Sequence, residues 1–193
     1  MALWGASDAD ESKPKWLTTA EKKTVLATTA GWVHEAWNAD MGNDNTDAQV
    51  EVLACVGGLA VKIGAATITS VDLVTTEWKV DEGGTLTTLV RWNEAVDVVE
   101  VGSGLKMNVE NDSRANLTLR YASGTGTNEL TFTLVIGAAN SAIQAGDVLS
   151  IPEEDLVKAG ATSVKDAATS TVSEIAITAA QGIAAGTVTA TAS

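Results

Sequence analysis

The residue types that ordinarily carry catalysis are scarce in this chain: its 193 residues include one histidine, His34, and one cysteine, Cys55. A hydrolase or transferase that works through a nucleophile also needs a proton shuttle and an orienting group within reach. His34, in GWVHEAW, has only Glu35 beside it as a candidate partner, and no G-x-S-x-G elbow occurs. His34 therefore reads as an arm or interface residue. Cys55, inside the apolar stretch VLACVGGLAV, reads as a buried, inert thiol, and a single cysteine allows no intramolecular disulfide. Paired carboxylates serve glycoside hydrolysis, and Glu153, Glu154 and Asp155 are adjacent, but they follow Pro152 in a loop-like stretch where a solvated charge run is the simpler reading. The chain is expected not to be an enzyme.

Ligand sites are equally thin. Asp40, Asn43, Asp44, Asn45 and Asp47 form an oxygen-rich stretch of the kind calcium favours, but the spacing lacks the glycine and terminal glutamate of an EF-hand loop. A solvated Asn/Asp turn is the plainer reading of residues 40–47, and no cofactor or metal is expected. The GSG at 102–104 and the SGTG at 123–126 lead into no convincing helix, so they read as hairpin glycines and not as a phosphate cradle. Asn116-Leu117-Thr118 has the form of a glycosylation acceptor but reads as strand.

Charge narrows the partners. A formal net charge of −13 argues against nucleic acid, because a phosphate backbone is bound by clustered Lys and Arg that displace counterions. The first residues, MALWGASDADESKPK, lack the basic and apolar regions of a signal peptide, and no apolar run approaches bilayer length, so neither classical secretion nor a membrane span is expected.

The elements that must position any site are strands. Hydrophobic residues make up 45% of the chain with only one Phe and one Tyr, so the core has to come from Val, Leu and Ile, which favour sheets. From residue 66 onward, alternation recurs with turn signals between segments. Leu105, Met107 and Val109 share a face, as do Leu117, Leu119 and Tyr121, and the most regular run sets Leu130, Phe132, Leu134 and Ile136 on one side. Further strands are expected over 68–73, 85–92, 96–101, 148–151 and 174–178, a set of seven or eight, the pattern of an immunoglobulin-like β-sandwich. The fold class is thus all-β, with residues 66–193 as the sandwich and residues 1–65 as an anchoring arm and hinge, extended and largely irregular apart from one or two helical turns in TTAEKKTVLATT.

The arm carries four of the six tryptophans, Trp4, Trp16, Trp32 and Trp37, dispersed among Gly, Asp, Asn and Lys. Large aromatics set in polar sequence behave as interface anchors. Lys13, Lys15, Lys22 and Lys23 make this segment less acidic than the rest, so it can approach an acidic partner surface. The expected docking or subunit interface is therefore Trp4, Lys13, Lys15, Trp16, Trp32 and Trp37. The alternative for some of these tryptophans is that they cover an open face of their own sandwich.

Two resemblances give the reading a family context. LVRWNEAVDV, LRYASGTGTNELTFTLVI, AGDVLSI and SVKDAATSTVSEIAIT keep the order of a bacterial immunoglobulin-like repeat of very large surface adhesins, and Tyr121, Ser123, Gly124, Gly126, Thr127, Asn128, Leu130, Thr131 and Phe132 carry its hairpin. Lys165, Asp166, Ala167 and Ala168 match its late loop, with Thr169 where the repeat has glycine. The arm, through Trp4, Gly5, Asp8, Asp10, Glu11, Ser12, Lys13, Pro14, Lys15, Trp16 and Leu17, resembles the start of structural proteins of contractile-tailed phages of marine cyanobacteria. These resemblances imply a virion protein made in the host cytoplasm, a homo-oligomer on the capsid surface with the major capsid protein or other virion proteins as partners. The alternative they imply is a head-fibre or adhesin module that holds host surface glycans on loops such as 123–128.

Overall fold

The computed structural model describes residues 13–14, 16–34 and 51–192. They form an all-β, sandwich-type fold. Its strands in chain order are β1 (Val25–Thr28), β2 (Gly31–His34), β3 (Glu51–Cys55), β4 (Ile68–Leu73), β5 (Trp78–Lys79), β6 (Gly84–Val99), β7 (Leu105–Asn111), β8 (Leu117–Ser123), β9 (Thr127–Ile136), β10 (Val148–Ser150), β11 (Val157–Lys158), β12 (Ser163–Asp166) and β13 (Thr187–Thr191). Two short helices, α1 (Leu59–Lys62) and α2 (Ala179–Ala185), complete the set.

The centre is the antiparallel run β4-β6-β9-β8-β7. Period-two patterning decides what it buries: Leu86, Thr88, Val90 and Trp92 of β6, Met107 and Val109 of β7, Leu119 of β8, and Leu130 and Phe132 of β9 are all buried, while their sequence neighbours turn outward. The tail of β7 pairs with β10, β10 with β13, and β13 runs parallel to β5, which adds Leu149, Val188, Ala190 and Trp78 to the same core.

β6 is the spine of the molecule. The expected strands over 85–92 and 96–101 are one strand, interrupted by a bulge: Arg91 opposes Glu129 and Val96 opposes Thr127, so Trp92 to Ala95 face Asn128 alone. A bulge bends a strand and increases its twist. Past the bend β6 acquires new neighbours, with β12 pairing along Val96 to Val99 and β1 meeting Glu94 in parallel.

Three expectations need correction. The described part of residues 1–65 is β-structured, because β1, β2 and β3 form an antiparallel unit that joins β6, and Val25, Ala27, Trp32 and Leu59 give it a small core of its own. Cys55 is exposed, since it falls at the end of edge strand β3 and not in the middle of a buried run. No strand forms over 174–178; isolated bridges at Val172 and Ala176 replace it, and the chain there turns into α2. In the hairpin before β9, Gly124 (φ 118°) and Gly126 (φ 81°) take the positive φ, and Asn128 is buried in regular strand.

Gly124 has no room for a side chain, because a Cβ would sit 2.0 Å from the carbonyl oxygen of Glu129. Gly124→Ala combines that clash with an unfavourable φ and is expected to lose more than about 1 kcal/mol by chemical denaturation.

Candidate docking surface

The first described residues fold into a tight turn. Thr18 and Glu21 cap each other, the Glu21 carboxylate accepting from the Thr18 amide and hydroxyl at 2.7 Å while the Thr18 oxygen accepts from the Glu21 amide at 3.3 Å. Hydrogen bonds from Thr18, side chain before backbone, hold the Glu21 carboxyl below its ordinary range. One turn of 3-10 helix follows over Glu21–Lys23, within the one or two helical turns that the sequence suggested. Lys13 Nζ donates to the Lys22 carbonyl at 2.5 Å, so this lysine braces the turn. Trp16 is 62% exposed, which no core aromatic tolerates and an anchor requires.

Trp32 behaves differently. It lies on β2 opposite Ala27 of β1 and Ala54 of β3, and only 2% of its surface is exposed. It is the filling of the β1–β3 unit and covers a face of its own chain. His34, on the same strand, is buried with Nε2 2.9 Å from the Thr24 hydroxyl, a structural position. Trp4, Lys15, Trp37 and the stretch 40–47 lie outside the described residues.

A chain of charges fastens the turn to the sandwich. Lys23 Nζ reaches Asp72 of β4 at 2.5 Å, Asp72 pairs with Arg91 of β6, and Arg91 reaches Glu129 of β9 at 2.6 Å. Arg91 is only 15% exposed, and a partly buried network of alternating charges contributes more than isolated surface pairs do. Lys23 is therefore committed to its own chain.

Beneath this surface, past the bulge, two carboxyl groups meet. Glu94 and Asp166 are each 1% exposed. Burial first, and the neighbouring Asp166 second, push the Glu94 carboxyl up to about 8. Asp166 Oδ1 accepts from the amides of Ala168 (2.6 Å) and Thr169 (3.0 Å), an Asx turn that closes the loop the adhesin-like repeat closes with glycine. The left-handed position passes instead to Ser170 at φ 58°.

The loops that suggested glycan binding are engaged internally. Thr125 Oγ1 accepts from Val98, Thr127 Oγ1 donates to Gly124 and Glu129 carbonyls, and the Tyr121 hydroxyl accepts from the Thr125 amide at 3.0 Å. In the AGD turn Asp147 gathers Asn111, Gln144 and Arg114 at 2.9–3.0 Å, and those donors hold its carboxyl below the usual range. Glu153 and Asp155 are exposed, whereas Glu154 between them is half-buried with its Oε1 shielded from solvent, so only part of the run is solvated.

Of the residues expected to form an interface, the structure thus places Trp16 on the surface beside braced Lys13 and assigns Trp32 to the interior. Asp72, Arg91 and the Glu94–Asp166 pair were missed. Alternation alone marks Glu94 as inward-facing, but the partner that makes such a position tolerable comes from a strand much later in the chain. Among the described residues no group of three or more His, Cys, Asp or Glu is placed to hold a metal, and no helix is long and apolar enough to cross a membrane. These features define a sandwich-type β protein with a stitched-on N-terminal sheet unit. No family model, curated protein or solved structure matches the chain.

Proposed function

We propose that this chain is a non-catalytic structural protein of a phage particle that decorates or stabilises the capsid surface, docking through its N-terminal segment onto the major capsid protein and neighbouring copies. The observation that carries this reading is Trp16, 62% exposed on a lysine-braced turn of a strongly acidic protein. A rigid aromatic loses little conformational freedom on burial, and such residues dominate interface energetics. The arm's likeness to cyanobacterial phage structural proteins agrees with it, and the glycan-binding alternative is weakened because the Thr125 and Thr127 hydroxyls are already engaged within the chain.

Mass spectrometry of purified particles should find the protein in many copies. Trp16→Ala should leave the folded protein's melting temperature unchanged while lowering its affinity for particles stripped of it by about tenfold or more, the scale of a hot-spot residue. Undiminished attachment would remove Trp16 from the docking surface, and a specific hit on a glycan array would favour the adhesin alternative.

A further inference from the structure

We infer that Glu94 and Asp166 share one proton and form a pH-sensitive latch joining the β6 bulge, the 166–170 turn and the β1 edge. The reasoning is independent of what the protein docks onto. Both Glu94 carboxyl oxygens and Asp166 Oδ2 are buried and find no hydrogen-bond donor among the described residues. Glu94 nevertheless lies within hydrogen-bonding reach of Asp166. Two carboxylates are acceptors only, and a buried pair of like charges without a donor is strongly disfavoured. One proton between them removes the repulsion and supplies the missing donor.

Among the described residues, no other ionisable group offers an escape. β1 brings Val25 and Ala27 to this seam, and the next titratable group on that side, His34, is bonded to Thr24. β9 presents Asn128, whose side-chain nitrogen reaches the Trp92 carbonyl, while Arg91 and Glu129 pair with each other on the opposite face. On β12, Lys165 alternates with Asp166 and is half-buried on the other side, and Asp97 of β6 is exposed. The 167–171 turn carries no charge.

The position makes the pair a joint. Glu94 is the residue at which β1 meets β6, the Ala167 amide bonds the carbonyl of Ala95, and Asp166 holds the turn amides of Ala168 and Thr169. Removing the shared proton places two negative charges at the point where all three elements converge. The folded state binds this proton more tightly than the unfolded chain, whose Glu titrates at the ordinary value near 4.5, so the latch is fully effective below that value. Its contribution is lost as the pH rises to about 8, and above that no further loss comes from this group.

The test uses the full chain. The melting temperature should fall by about 5–10 °C between pH 6 and pH 9, and Glu94→Gln, whose amide donates to Asp166 at every pH, should flatten that dependence. A carboxyl-carbon NMR titration of the wild type should show Glu94 titrating far above the ordinary glutamate range, and Asp166→Asn should lower that value. Amide protection of Ala168 and Thr169 should drop over the same pH interval. Parallel pH profiles for wild type and Glu94→Gln, or a Glu94 carboxyl that titrates in the ordinary range, would overturn the latch. So would a calcium-induced rise in melting temperature at pH 9 that Glu94→Gln abolishes, since a cation and not a proton would then hold the pair. The NMR titration needs no variant and decides the matter even if Glu94→Gln fails to fold.

Discussion

Phe132→Ala is expected to destabilise the protein by about 3–5 kcal/mol, the usual cost of emptying a fully buried aromatic site. Phe132 has no exposed surface and stands in the middle of β9, across from Thr88 of β6 and Tyr121 of β8. Its ring meets that of Tyr121 edge to face, with centroids 6.1 Å apart and planes at 70°, the geometry in which aromatic quadrupoles attract. Strands on both sides fix the backbone, so the walls of the cavity cannot collapse to refill it, and the loss falls at the upper part of the range for its size. Urea unfolding of the full chain should show the midpoint shifting at constant slope. Val135→Ala on the outer face of the same strand, where the side chain is 76% exposed, should be close to neutral. A loss below about 1 kcal/mol at Phe132 would mean that the register of β9 is wrong.

The contrast between those two positions also shows what could be read from the sequence. β7, β8 and β9 were legible because each has one wet face, so burial imprints strict alternation on Leu105 to Val109, Leu117 to Tyr121 and Leu130 to Ile136. β6 was legible as two strands because polar Asn93 and Glu94 interrupt the apolar run between Trp92 and Val96, although the inward positions keep their period of two from Leu86 to Val96. The strands β5, β11 and β12 are too short to display a period, and β1 to β3 exist because they pair with one another and with β6, a tertiary cause that propensity in a Thr- and Ala-rich stretch does not reveal. α2 did leave a signal: Thr178 and Gln181 form a capping box three residues apart, and Gly186 ends the helix. For the candidate site, composition separated the tryptophans from the body of the sandwich but could not sort them. Trp16 and Trp32 sit in similarly polar surroundings, and only the pairing of β2 between β1 and β3 turns one of them inward.

That sorting makes Trp32→Ala the second substitution of large effect, with an expected loss of about 3–5 kcal/mol confined to the N-terminal unit. Trp32 packs with Val25, Ala27 and Leu59 in a cluster separate from the main core, with Leu17, Leu53 and Ile63 around it. Among the described residues no second aromatic takes part, so removing the indole takes away the largest part of what the three strands bury. Among the described residues, β1 is bridged to β6 in parallel at Ala27 and Glu94, and Lys23 reaches Asp72. A unit with its own core cluster can open while β6, β8 and β9 stay folded, which is how a locally stabilised unit behaves. Hydrogen exchange should therefore show lost protection over 25–34 and 51–63 in Trp32→Ala, with protection over 127–136 retained. Trp16→Ala should do the reverse of this, leaving every exchange profile unchanged while weakening attachment to the particle. If Trp32→Ala instead kept full protection over 25–34 and lost attachment, Trp32 would belong to the docking surface with Trp16.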